Sequence, residues 1–195
     1  MRLTLITTCI AIGGAAQTAA ADPSTYELDP SHTAIYFTVD HIGYSKTLGI
    51  FGEVSGTFVY DMDTQELSDV AVTIKSDSVN TFHEARDGHV KNQDFLHVSE
   101  FPEITFAAAN GSPSSETSGQ VTGDLTLLGQ TQPVTLDVTL NKAAEYPFGH
   151  KRFVLGLSLE SSIKRSEFGM TYGVENGLVG DDVTIRIETE AMRME

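Results

Sequence analysis

The sequence predicts an all-β fold, an antiparallel barrel of about eight strands, and three observations carry that expectation. Apolar and polar residues alternate with period two in segment after segment, the mark of strands buried on one face. Turn-forming residues separate the segments, and neither a heptad run nor an internal repeat interrupts them. A single antiparallel sheet of this size is most readily completed by closing on itself, wide enough to fill with side chains or to hold one elongated ligand. A β-sandwich is the main rival.

The first strand, 33–40, sets Ile35, Phe37 and Val39 against Tyr36, Thr38 and Asp40. The second, 48–60, is long and carries Gly49, Gly52 and Gly56, which predicts a bent or bulged strand. The third, 67–75, alternates through Val70, Val72 and Ile74, and the fourth covers 103–109. NGSPSSETSG (110–119) reads as a solvated hairpin loop leading into the fifth, 119–128, where Val121, Leu125 and Leu127 flank Gly123. Alternation is clearest late in the chain. In 132–141, Val134, Leu136, Val138 and Leu140 oppose Thr135, Asp137 and Thr139. Phe153, Leu155, Leu157 and Leu159 follow in 151–161, and Val183, Ile185 and Ile187 in 182–191.

Between the third and fourth strands the pattern changes. Thr81 and Glu84 form T-x-x-E, a capping box that starts a helix of about three turns running to Leu96. Gly88 weakens that helix and Pro102 stops it, so a short helix is expected against one mouth of the barrel.

Residues 1–21 read as a secretory signal peptide: Arg2, a weakly apolar run, then Ala19-Ala20-Ala21 as the cleavage site. The run is too short and interrupted for a membrane span. Ile6-Thr7-Thr8 before Cys9 makes a poor lipobox. Cleavage near Ala21 leaves one domain, 22–195, without cysteine, so an exported fold would stand on its core alone. The formal net charge is −15, and losing Arg2 makes it more negative. Nucleic acid and anionic lipid surfaces are repelled by such a chain.

The segment HEARDGHVKNQDFLHVSEFP (83–102) holds three of the six histidines and invites a metal reading. Spacing argues against it, since on a helix His83 and His89 point about 240° apart. His32 and His41 sit at opposite ends of one strand, and His150 adjoins Lys151 and Arg152. No metal or other cofactor is expected. No nucleophile elbow, dinucleotide fingerprint or phosphate loop is present, so no catalytic residue is assigned. Arg86 and Arg165 either pair with acidic side chains or present cations to a ligand's polar head.

The order of short motifs resembles the YceI-like family of exported lipocalin-like proteins. The resemblance begins at Tyr26-Glu27-Leu28-Asp29-Pro30-Ser31-His32 and passes through Gly49-Ile50-Phe51-Gly52 and Arg86-Asp87-Gly88-His89-Val90. Phe101-Pro102-Glu103-Ile104-Thr105-Phe106, Val121-Thr122-Gly123-Asp124-Leu125 and Lys164-Arg165-Ser166-Glu167-Phe168-Gly169-Met170 complete it. It implies an extended eight-stranded antiparallel lipocalin-like barrel whose apolar tunnel binds a long-chain amphiphile: a polyisoprenoid, a quinone-like chain or a fatty-acid-like molecule. It also allows a homodimer. On this reading the inward residues Phe37, Val39, Phe58, Val72, Phe106, Leu125, Val138, Leu155 and Ile185 line the tunnel, with Phe95 closing one end. The expected function is binding, transport or storage of such a lipid. The alternatives are an enzyme acting on an isoprenoid lipid, or an accessory protein of a membrane redox or stress system.

Overall fold

A computed structural model describes residues 23–195. The predicted leader, with Cys9, lies outside the described residues. The alternating segments form β1 (Ser24–Leu28), β2 (Ala34–His41), β3 (Ser45–Phe51), β4 (Val54–Tyr60), β5 (Leu67–Lys75) and β6 (Val79–Asn80). After the helix α1 (Glu84–Val90) come β7 (Glu103–Ala108), β8 (Ser112–Pro113), β9 (Ser118–Leu127), β10 (Gln130–Glu145), β11 (Phe153–Lys164) and β12 (Val179–Arg193).

Strands β1, β4, β5, β7, β9, β10, β11 and β12 pair antiparallel in that order, and β12 returns to β1. Eight strands therefore close into a barrel, which leaves no edge along that ring. The N-terminal half of β12 pairs instead with β2, and β2 continues through β3 to β6, lengthening the wall at the end where α1 lies. Register keeps the apolar set on one face. Ile185 opposes Phe37 and Val183 opposes Val39 across β12 and β2, and Phe106 opposes Leu125 across β7 and β9. A slip of one residue would turn every one of these outward.

Four expectations are corrected. The predicted second strand, 48–60, divides into β3 and β4 around Gly52-Glu53. A bulge follows, and its extra residue is Asp69 of β5, at φ 52°, a conformation aspartate tolerates better than most residues. The helix predicted between the third and fourth strands lies after β6, because the second segment divides in two and the short strands β1 and β6 add to the count. The helix is also shorter than three turns and has a different cap. His83, not Thr81, is its N-cap, with Nδ1 accepting from the Arg86 N–H at 3.3 Å. Beyond Lys91 the Asn92 side chain accepts from the Asp94 N–H at 2.8 Å, a local turn that competes with further helix.

Candidate functional site

The barrel encloses a cavity of about 350 Å³. All ten residues expected to face it do so. Phe37 and Val39 come from β2, Phe58 from β4, Val72 from β5 and Phe106 from β7. Leu125, Val138, Leu155 and Ile185 come from β9 to β12, and Phe95 from the turns after α1. Several of them (Phe37, Val72, Leu125, Val138, Ile185) are only half-buried although they point inward, because they border open space instead of one another. The alternation that builds the sheet thus also builds an apolar wall.

Two aromatic rings are accommodated by missing side chains. Phe37 lies against Gly49 of β3, where any Cβ would meet its ring, and Phe106 lies against Gly123 of β9 with a Cβ meeting its Cζ at 2.6 Å. The glycines give the rings room beside the wall and leave the lumen less filled than two protruding phenyls would.

The lumen's two ends differ. At one, the 110–118 segment, with Ser115, Glu116 and Thr117, borders the opening. Here the expected solvated loop is more than a connection: β8 pairs with β9, and Gln65 Nε2 donates to the Ser115 carbonyl at 3.1 Å. At the other end Val90, Phe95, Leu96, Arg165 and Met170 border the lumen. Leu96 and Met170 are buried, and the Phe95 ring contacts Tyr172 at 5.2 Å between centroids. That end is packed.

The two arginines were expected to meet either acidic side chains or a ligand head, and the structure separates them. Arg86 is exposed and absent from the lumen wall. Its Nε donates to the Thr81 hydroxyl at 2.9 Å and its Nη2 to the Thr81 carbonyl at 2.7 Å. Arg165 is 2% exposed and borders the lumen. Its Nε donates to the Gly180 carbonyl at 2.7 Å, and its terminal nitrogens to the carbonyls of Met170, Tyr172 and Val179 at 2.8 Å each. Its Cζ stands 5.8 Å from the Phe95 centroid. Burial pushes its pKa down from the ordinary value, with Asp181 working against that. Neither guanidinium forms an ion pair with a carboxylate among the described residues; both hold backbone or hydroxyl oxygens. This carbonyl clamp was not legible, because backbone acceptors carry no sequence signal.

The histidines do not converge. His89 Nε2 lies 3.0 Å from Asp94 Oδ2 and packs edge-on against Phe95 and Tyr172. His32 Nδ1 lies 2.8 Å from Asp29 Oδ2 across a turn, and Glu190 brings a third potential ligand atom within 4.8 Å of both. The hydrogen bond raises the His32 pKa and lowers that of Asp29. The inward-facing Thr33 and Thr189 satisfy each other: Thr33 donates to the Asp29 carbonyl at 2.7 Å, and the two hydroxyls lie 2.7 Å apart.

A YceI-like domain model matches residues 26–191, nearly the whole described chain. The chain belongs to the YceI-like family. Protein YceI of Salmonella arizonae is 34% identical over 178 residues, which cover 90% of this chain and 91% of that protein. Among solved structures, the YCEI protein of Campylobacter jejuni is 30% identical with a TM-score of 0.72, covering 80% of this chain and 90% of its own. BcnA of Burkholderia cenocepacia shares the fold at 21% identity and a TM-score of 0.74, covering 85% and 99%. A polyisoprenoid-binding domain from Saccharophagus degradans does so at 14% and 0.60, covering 87% and 98%. In this YceI-like barrel, no helix among the described residues is long and apolar enough to cross a membrane.

Proposed function

We propose that this protein is an exported, periplasmic carrier that binds, transports or stores one long-chain amphiphile in its barrel. The ligand class is a polyisoprenoid, a quinone-like chain or a fatty-acid-like molecule. The observation that carries the reading is the lumen itself, about 350 Å³ and walled by inward valine, leucine, isoleucine and phenylalanine. Pockets for small ligands start near that size, and each methylene moved from water into such a wall contributes about 0.8 kcal/mol. A linear chain is therefore retained without many polar contacts. The polyisoprenoid-binding domain of the same fold is consistent with this ligand class. The leader pattern in 1–21 supports export. Phe37, Val39, Phe58, Val72, Phe95, Phe106, Leu125, Val138, Leu155 and Ile185 are the proposed chain contacts.

The test is solvent extraction of protein purified from its native host, followed by mass spectrometry. One lipid per chain is expected. Preparations that come out empty, and that also fail to take up added octadecanoic acid, would reject the reading.

A further inference from the structure

An apolar tube retains a chain but does not orient it; orientation needs a polar group where the head will sit. The lumen wall carries neutral polar groups, Thr47 and Tyr60 among them, but among the described residues only two charged ones, Arg165 and Glu116. Thr33 and Thr189 bond each other, and the Thr81 hydroxyl both donates to Asp87 and accepts from Arg86. Arg165 differs. A guanidinium has five N–H donors, and four are used on the carbonyls of Gly180, Met170, Tyr172 and Val179. The second N–H of Nη1 has no partner among the described residues.

The charge is likewise unpaired. Among the described residues no carboxylate comes within ion-pair distance of Arg165, since the neighbouring Asp181 is engaged by the N–H and hydroxyl of Ser166 at 2.9 and 2.8 Å. Four carbonyl dipoles and the nearby Asp181 carboxylate reduce a full positive charge, but no carboxylate bonds it directly. In surroundings of low dielectric what remains acts strongly on anything that enters the lumen. At the opposite end the charged residue on the lumen is Glu116, which disfavours an anionic head there.

We propose that the packed end of the lumen is a head-group site, in which Arg165 receives an acceptor oxygen of the ligand, a carboxylate or a carbonyl. The hydrocarbon chain then runs toward the 110–118 segment. This rests on the carrier reading and adds to it both a polarity and a head chemistry. A hydrogen bond from a charged donor in a dry site favours the matching ligand by about tenfold or more over its apolar analogue.

Substituting Arg165 would remove four backbone contacts and confound folding with binding, so the test varies the ligand on the unaltered protein. Octadecanoic acid, octadecan-2-one, octadecane and octadecylamine are compared by displacement of a fluorescent apolar probe. The acid and ketone should bind at least tenfold tighter than octadecane, and the amine weakest. Acid above ketone assigns the preference to charge, and equality of the two assigns it to the hydrogen bond. Binding of all four without preference, or tightest binding of the amine, overturns the head site while leaving the carrier reading intact. No binding by any of them removes both. A crystal soaked with ω-bromo-octadecanoic acid should place the bromine near the 110–118 segment; bromine beside Arg165 overturns the proposed polarity.

Discussion

The Asp87 carboxylate accepts both the backbone N–H and the hydroxyl of Thr81, at 2.6 and 2.5 Å. Arg86, the preceding residue of α1, holds the same threonine through its hydroxyl and its carbonyl. Thr81 directly follows β6 and is 1% exposed, so these bonds fasten the helix to the end of the barrel. Thr81→Val keeps the shape but leaves an Asp87 oxygen and the Arg86 Nε–H short of a partner. A loss of about 1–3 kcal/mol in urea unfolding is expected, together with faster hydrogen exchange in 84–90.

Acid should loosen the fold through three aspartates. The His32 ring lowers the Asp29 pKa, and the Thr81 hydroxyl and N–H lower that of Asp87. Burial pushes Asp181 up, but the Ser166 N–H and hydroxyl together with Lys164 and Arg165 outweigh it, and its pKa also ends below the ordinary value. A depressed carboxyl stabilises the fold above its unfolded value of 3.8 and loses that contribution as pH falls through the lower native value. His32 has the opposite sign: its pKa is raised, so its contribution is complete below 6.5 and fades as pH rises through the native value. Melting temperature measured against pH should fall below about pH 4, with a shallower fall in Asp87→Asn and Asp181→Asn.

Gly49→Ala and Gly123→Ala should each destabilise. At Gly49 the new Cβ meets the Phe37 ring and drives it off its rotamer, whereas at Gly123 it meets the Ala107 carbonyl as well as the Phe106 ring, so backbone must shift too. Overpacking of this kind costs about 1–3 kcal/mol. Thermal unfolding reads the loss; a change within error for Gly49→Ala would show that the Phe37 ring moves freely into the lumen.

Filling the lumen and emptying the core should have different consequences. Leu125→Trp extends a half-buried wall residue into open space, so octadecanoic acid should bind at least tenfold more weakly with little change in melting temperature. Phe168 is 1% exposed and absent from the lumen wall, and Phe168→Ala should cost about 3–5 kcal/mol. Probe displacement and urea unfolding on the two variants separate the lumen from the core.

The alternation was legible wherever it ran long. In β10 and β12 the inward and outward residues could be assigned one by one, and every residue expected on the lumen wall is there. Short elements escaped that reading. β1 has only Tyr26 and Leu28 as buried residues, too few for a period to show. The cap of α1 was misplaced because T-x-x-E has the right local pattern, while Thr81 is claimed from two sides by Asp87 and Arg86. Local rules cannot weigh a partner supplied by the next turn of structure.

The sequence by itself determined that the chain is all-β, which face of each long strand is apolar, and to which family its motifs belong. Those properties follow from residue order along single segments. Only the tertiary structure decided that the inward faces leave a lumen, since that depends on how many strands close the ring and on rings lying beside glycines. It also parted two arginines that looked alike in the sequence. Arg86 is itself exposed and holds the buried Thr81, whereas Arg165 is buried at the packed end of the lumen. Which oxygens surround a guanidinium is set by where distant carbonyls come together, and that is a property of the closed fold.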